Sequence, residues 1–300
     1  MSAVATREEN AAIAAPAAAA TGHVHVIQPW RPGVFRRLVE VWEHRRLLPY
    51  LGKCYVMRRV RNTWLGWIWI PLRPGIDLMS KTLFFHAALG APSGDRPYFI
   101  FIAFGQSGWV VFHSVNQWAT RSMRMSEKFL RGAYTPRLPR LTAVLVPAAL
   151  DFLLTIVVAL VAIFVYLFTR GTLYLVPSLQ VLMGLAGILL LAVWGLALGL
   201  VTSPWSAYTR DIRYTFGYIT QFWFFVTPIA YPLSHLHGWL HQVAELNPIT
   251  APILLVQWGF LDTAPPPFIS LVTCFGSLAV LLSFGLWSFN RFEGAAVKRL

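Results

Sequence analysis

The feature that most constrains this chain is a succession of long apolar runs that carry almost no charge. Several of them exceed about 18 residues, and a helix of about 20 apolar residues crosses the hydrocarbon layer of a bilayer. Only 12% of the residues are charged and the mean hydropathy is +0.56, whereas soluble domains are about one quarter charged. No segment alternates apolar and polar residues with a period of two between turns, so a β-barrel is not supported. The sequence therefore predicts an all-α integral membrane protein.

The apolar runs predict six transmembrane helices. These spans cover Trp64–Leu89, Tyr98–Ala119, Leu141–Phe168, Thr172–Ser203, Tyr214–Leu233 and Phe268–Asn290. Residues 234–262, between the fifth and sixth spans, are interrupted by Gly238, Pro248 and Pro252. This segment predicts short re-entrant helices at the outer face of the membrane, which are tolerated only where protein covers their backbone.

Two segments precede the spans. Residues 1–32 contain an Ala-rich tract broken by Pro16, and we expect a disordered tail rather than a cleaved signal peptide. Residues 33–61 carry apolar side chains at helical spacing with arginines on the opposite side, which predicts an amphipathic helix in the membrane interface. Residues 62–300 then form a single six-helix transmembrane domain.

The basic residues are distributed asymmetrically over this topology. Of the 25 Lys and Arg residues, all but Arg73, Lys81, Arg96 and Arg170 lie on the side that carries both termini. Loops rich in Lys and Arg stay in the cytoplasm, so both termini are predicted to be cytoplasmic. The same sorting accounts for the net charge of +13, and no nucleic-acid partner is predicted.

Short motifs in a fixed order carry a family resemblance over about residues 35–300. They are Arg58–Gly66 with Trp67, Trp69 and Pro71-Leu72, then Pro97-Tyr98 and Gly105–Trp109, Tyr208–Asp211, Thr227–Pro232, Leu246–Pro248 and Phe289–Glu293. In this order they resemble the permease subunits of ABC transporters that export polysaccharides such as O-antigen, capsule, teichoic acid and galactan. The charged residues of the first span depart from the family pattern.

The resemblance implies what this chain does and with which partners. It implies a homodimer in the bacterial inner membrane that recruits two copies of a separate ATPase subunit and exports a lipid-linked polysaccharide. The chain has no G-x-x-x-x-G-K-[ST] motif, so ATP and magnesium are expected on the partner and no cofactor on this chain. Two alternatives stay open: an ABC exporter permease for a drug or lipid, and, more weakly, a membrane-bound polyprenyl-phosphate glycosyl- or acyltransferase. The sequence offers no paired carboxylates or nucleophile–base set for such an enzyme, and we expect no catalysis by this chain alone.

Two spans offer candidates for the substrate path. Charges inside a membrane normally pair or face water, so the first-span charges form either a polar strip along the path or a self-neutralised ladder. The second span presents aromatic side chains on one helical face, and this face either packs on protein or borders the path. The candidates are Arg73, Asp77, Lys81, Tyr98, Phe101, Trp109 and Phe112. Asp151, within the third span, is expected to contact substrate or to hydrogen-bond another helix.

Three further groups of residues are candidates for specific contacts. The residues that would attract an anionic lipid headgroup are Arg58, Arg59 and Arg61. The residues that would dock on the ATPase, from a loop with a short helix that ends at Gly132, are Arg124, Lys128, Phe129 and Tyr134; the alternative is that this basic loop only sets the topology. The residues that would form an outer gate are Tyr231, His237, Trp239 and His241. The spacing of His237, His241 and Glu245 fits the wet face of an interfacial helix better than a metal site, and no metal is expected.

Overall fold

The computed structural model describes residues 39, 41–60, 64, 66–92, 96–127, 137–172, 174, 179–209 and 211–297. These residues form helices and no strand, so the all-α class is confirmed for the described part of the chain. By its internal contacts the chain divides into Met1–Pro32 and Gly33–Leu300. The first unit, which contains the expected tail, lies outside the described residues, and the following description concerns the second.

The α-helices are numbered in chain order. They are α1 (Leu47–Val60), α2 (Trp69–Thr82), α3 (Tyr98–Glu127), α4 (Arg137–Thr142), α5 (Leu145–Arg170), α6 (Val181–Tyr208), α7 (Asp211–Val226), α8 (Trp239–Leu246), α9 (Thr250–Leu261) and α10 (Phe268–Val297). A 3₁₀ turn, Gly66–Ile68, precedes α2, and a π-helical turn, Leu83–Ala88, continues it. A second 3₁₀ turn, Leu233–His235, lies between α7 and α8.

Within the described residues, four helical stretches are long and apolar enough to cross a membrane. They are Tyr98–Ser122 in α3, Pro139–Arg170 in α4 and α5, Val181–Tyr208 in α6, and Phe268–Phe289 in α10. Helices α2 and α7 coincide with the first and fifth predicted spans but have only 14 and 16 residues. The short helices α8 and α9 lie where the broken segment 234–262 predicted them.

The boundary at the end of the second span differs from the expectation. Helix α3 continues without a break from Ala119 to Glu127, where the sequence predicted the start of a loop carrying a separate short helix. No Gly or Pro lies in this stretch, so nothing interrupts the hydrogen-bond ladder. The first part of the supposed loop is therefore an extension of the transmembrane helix.

Helices α3 and α6 form the centre of the fold because small residues let them approach closely. A Cβ atom added to Gly199 of α6 would clash with the Cβ atom of Ala119 of α3. One turn farther along, the hydroxyls of Thr120 and Thr202 lie 2.7 Å apart. Helices in a membrane gain little hydrophobic energy from meeting, so close contact and interhelical hydrogen bonds stabilise such a pair.

Asn247 ties the segment after α7 to the start of α9. Its side-chain amide donates to Thr227 Oγ1 at 2.9 Å, and its carbonyl oxygen accepts from Trp223 Nε1 at 2.9 Å and from the backbone of Ile249 at 3.2 Å. The polar side chain is buried, and these bonds satisfy both ends of its amide. Two of the sequence motifs, Thr227–Pro232 and Leu246–Pro248, therefore form one structural unit.

Helix α1 packs on the body of the protein through one buried face. Leu51 and Tyr55 are buried, and the Tyr55 ring stacks on Trp118 of α3 with centroids 5.9 Å apart. Burial raises the pKa of Tyr55 to about 12, so its hydroxyl stays neutral at physiological pH. This contact positions the arginines at the end of α1.

We expect Gly199→Ala to destabilise the protein by about 1–3 kcal/mol, because the added methyl group overpacks the contact between α3 and α6. Thermal unfolding of the purified protein in detergent would measure the loss. Gly276→Ala is the matched control, since a Cβ atom at Gly276 of α10 meets nothing within 4 Å. Equal melting temperatures for the two variants would contradict the packing role of Gly199.

Candidate functional site

A cavity of about 1170 Å³ lies between α2, α3 and α7. The last turn of α1 and the first part of α5 contribute Arg59 and Asp151 to its wall. Helix α2 supplies charged side chains, α3 supplies amides, a histidine and two indoles, and α7 supplies tyrosines and phenylalanines. In a protein with long apolar helices, such a polar and aromatic cavity is the strongest candidate for a functional site.

Helices α2 and α3 run antiparallel along the cavity. The rings of His86 and Tyr98 stack with centroids 4.8 Å apart. Gln106 Nε2 donates to Asp77 Oδ2 at 2.7 Å. Residues nearer the start of α2 therefore lie beside residues farther along α3.

Asp77 is the centre of a partly buried polar cluster. Its Oδ2 atom accepts from Lys81 Nζ and from Gln106 Nε2, each at 2.7 Å. The Lys81 ammonium also lies 4.5 Å from the ring centroid of Phe224 on α7. The pair is therefore neutralised and packed against two helices, as the ladder alternative expects for Asp77 and Lys81, whereas a role in the substrate path stays a prediction.

Arg73 is not part of this cluster. Among the described residues it forms no ion pair, and its side chain is exposed and lines the cavity. The expected ladder of three charges is therefore wrong for Arg73: Asp77 and Lys81 form a pair, and Arg73 is a separate cation. An acid placed four residues before a base on a helix pairs better than the reverse order, which favours Asp77–Lys81 over Arg73–Asp77.

A second charge pair joins three helices at the cavity. The Arg59 guanidinium, in the last turn of α1, donates to Asp151 of α5, and Ser114 Oγ of α3 donates to the same carboxylate at 2.7 Å. The two charged side chains are 21% and 15% exposed. Asp151 therefore both hydrogen-bonds other helices and lines the cavity.

The other proposed headgroup residues are placed differently. Arg58 lines the cavity beside Arg59 and makes contacts of its own, whereas Arg61 lies outside the described residues.

The aromatic face of the second span separates into core and cavity residues. Tyr98, Phe101 and Phe112 are buried in the protein interior and do not line the cavity. Tyr98 donates its hydroxyl to the carbonyl of Ala230 at 2.6 Å. Trp109 lines the cavity while remaining 4% exposed, and its ring meets the edge of Phe224 at 5.6 Å. A single helical face is wide enough to meet both a neighbouring helix and the cavity.

Gln106 and His113 are cavity residues that the sequence interpretation missed. Both line the cavity, and Gln106 Oε1 and His113 Nδ1 are buried without a hydrogen-bond partner in the described part of the chain. Together with Gln117 they form a polar stripe at intervals of seven and four along α3. This spacing was the signal that could have identified them.

The predicted ATPase-docking residues fall near or beyond the described end of α3. Arg124 lies in the helix, but its side chain is not described. Lys128, Phe129 and Tyr134 lie outside the described residues.

The predicted gate residues lie between the end of α7 and the end of α8. Tyr231 donates its hydroxyl to the carbonyl of Phe225 at 2.6 Å, and Trp239, at the start of α8, is 70% exposed. His241 lies 3.7 Å from Glu245 within the helix, whereas His237 precedes the helix and approaches the carbonyl of His235 at 3.0 Å. The regular spacing of the two histidines therefore does not place them on one helical face.

A comparison with known proteins identifies one relative of nearly the same length. The O-antigen export system permease protein RfbA of Myxococcus xanthus is 24% identical over 235 residues, which cover 78% of this chain and 87% of that protein. No family model matches the chain. The relative confirms the resemblance to the permeases of polysaccharide-exporting ABC transporters.

We expect Asp151→Asn to lower stability by about 1–3 kcal/mol, because it leaves the Arg59 charge partly buried without a counter-ion while keeping the acceptor for Ser114. Urea unfolding in detergent would measure the change. The double variant Arg59→Gln/Asp151→Asn should be more stable than the sum of the two single losses predicts.

Asp262→Asn is the control for this pair. Asp262 is exposed and has a left-handed backbone conformation that Asn also adopts. Strictly additive single and double variants would rule out a direct interaction between Arg59 and Asp151.

Proposed function

We propose that this chain is the membrane-spanning permease subunit of an ATP-driven exporter that moves a lipid-linked polysaccharide across the bacterial inner membrane. The cavity between α2, α3 and α7 is the observation that carries this proposal. It combines aromatic rings with amide and imidazole groups, which suit the C–H faces and hydroxyl groups of sugars. The similarity to an O-antigen export permease over most of the chain supports the same conclusion.

The proposal includes six spans, with α2 and α7 crossing the membrane beside the four apolar helices. The helical stretch from Gly66 to Ala88 is long enough for a span, at about 1.5 Å per residue. Its charges face the cavity, which explains why the helix is less apolar than the other spans. Helices α8 and α9 would then re-enter from the outer face, and both termini would be cytoplasmic.

We propose that a second copy of the chain completes the path. Apolar and aromatic side chains of α2 and α7 beside the cavity are exposed, including Ile76, Met79, Tyr218 and Phe222. Two copies that meet across these helices would bury the exposed side chains and enclose two facing cavities. A symmetric homodimer therefore suits the position of the cavity at one side of the helix bundle.

Energy would come from two copies of an ATPase subunit, which would bind ATP and magnesium. The extension of α3 past Ala119 includes Arg124, and Arg124, Lys128, Phe129 and Tyr134 would dock on the ATPase subunit. At the cytoplasmic mouth, Arg58, Arg59 and Arg61 would attract the phosphate of the lipid carrier electrostatically. At the opposite end, Tyr231, His237, Trp239 and His241 would form the outer gate.

Depletion of this protein tests the function directly. We expect lipid-linked polysaccharide to accumulate on the cytoplasmic side of the membrane, because synthesis continues while export stops. Extraction of the lipid-linked glycans from depleted cells would measure their amount. Comparison of intact with permeabilised cells would show on which side of the membrane they lie. Undiminished surface polysaccharide with no accumulation inside would contradict the proposal.

A blocking variant tests the role of the cavity. Gly217 of α7 lines it, and a Cβ atom there has its nearest neighbour, Gln117 Nε2, at 3.5 Å, so a larger side chain would extend into open space. We expect Gly217→Trp to reduce export about tenfold or more without reducing the yield of the complex with the ATPase.

Gly276→Trp is the matched control, since Gly276 lies on the exposed face of α10 outside the cavity wall. Surface polysaccharide, measured by lectin or antibody binding, should fall in the first variant alone. Normal export by Gly217→Trp would show that the cavity is not the path.

A further inference from the structure

The charges that line the cavity do not balance. Among the described residues its wall contains two carboxylates, Asp77 and Asp151, and six cationic side chains. The cations are Arg58, Arg59, Arg73, Lys81, Arg121 and Arg213. A low-dielectric wall with an excess of one sign attracts ions of the other sign.

Both carboxylates are already occupied by other partners. Asp77 accepts from Lys81 and Gln106, and Asp151 accepts from Arg59 and Ser114. Arg73 pairs with neither carboxylate, and within the described residues it has no hydrogen-bond or ion-pair partner. Its exposed guanidinium therefore keeps its donors available to the cavity.

The register between α2 and α3 places Arg73 on the cavity wall, away from the His86–Tyr98 end. His86 stacks on Tyr98, and Gln106 donates to Asp77. Extrapolation by four residues along each helix brings Arg73 to the level of Val110, and both residues line the cavity. Val110 is twelve residues from the start of α3 at Tyr98, or about 18 Å at 1.5 Å per residue. A cationic side chain within a membrane span is costly unless it meets water or a counter-ion.

We propose that Arg73 binds an anionic group of the transported substrate, a phosphate or a carboxylate, inside the cavity. The identification of the ligand as the substrate rests on the proposed function. The planar guanidinium matches both kinds of anion with two parallel hydrogen bonds. Arg121, which donates to Gln117 at 3.2 Å, adds positive potential to the same wall.

The anion has two possible sources with the same chemistry. It belongs either to the phosphorylated lipid carrier or to acidic sugars in the polymer. Three probes distinguish them: farnesyl pyrophosphate for the carrier, tetragalacturonic acid for an acidic glycan, and maltotetraose as the neutral glycan. Their affinities would be measured by calorimetry on the complete permease–ATPase complex in phosphatidylcholine nanodiscs, which present no competing anionic lipid.

We expect Arg73→Gln to weaken binding of at least one anionic probe about tenfold or more, because it removes a charge-assisted pair. Arg73→Lys should retain part of this affinity, since it keeps the charge but loses the bidentate geometry. Arg170→Gln is the matched control, because Arg170 lies against Tyr166 at the far end of α5 and does not line the cavity. The probe that loses affinity identifies the source of the anion.

Three results would overturn the inference. They are unchanged affinity of Arg73→Gln for both anionic probes, failure of both anionic probes to bind the unmodified complex, and an equal loss for maltotetraose, which would indicate a collapsed cavity. These results leave the proposed function untouched, because depletion and the Gly217→Trp variant test export without reference to Arg73. Conversely, if depletion left export unchanged, the proposed export function would be contradicted. An anion affinity that depends on Arg73 would still stand, because it is measured directly by binding.

Discussion

The structure depends on the close approach of α3 and α6. Gly199 and Ala119 leave no room for an additional methyl group between these helices, and the hydroxyls of Thr120 and Thr202 join them. Because lipid offers no hydrogen bonds, such a seam must satisfy its polar groups internally. Once one face of α3 is held by α6, its opposite face, with Gln106 and His113, is available to the cavity.

The helical class and the approximate positions of the helices follow from the sequence, because apolar runs of membrane length have few alternatives. Boundaries follow less well. Helix α3 extends to Glu127 because neither Gly nor Pro stops it, whereas the apolar run that revealed the span ends earlier. Apolar composition indicates which part of a helix lies in the membrane. A helix that continues beyond the membrane is polar there, so its end cannot be located from the apolar run.

The candidate site could be predicted only in part. Arg73, Asp77, Lys81 and Trp109, which the sequence singled out because charges and a mid-span indole are unusual in a membrane, line the cavity; their contact with a substrate stays a prediction. Spacing alone assigned Tyr98, Phe101 and Phe112 to the same face, but an aromatic side chain packs in a core as readily as it lines a path. Which neighbour covers each part of the face depends on tertiary packing, and the helical period carries no information on it.

The pairing of the first-span charges illustrates why partners matter more than spacing. Four-residue intervals allow Asp77 to pair in either direction, yet its carboxylate is held by Lys81 and by Gln106 of the neighbouring helix. Phe224 then covers the ammonium of Lys81, which strengthens the preference for this pair. A further acid beside Arg73 would have paired with its guanidinium, although the wall as a whole would still carry more cations than carboxylates. Because both cavity carboxylates already have partners, the anion site that we propose at Arg73 requires no rearrangement of the ion pairs in the wall.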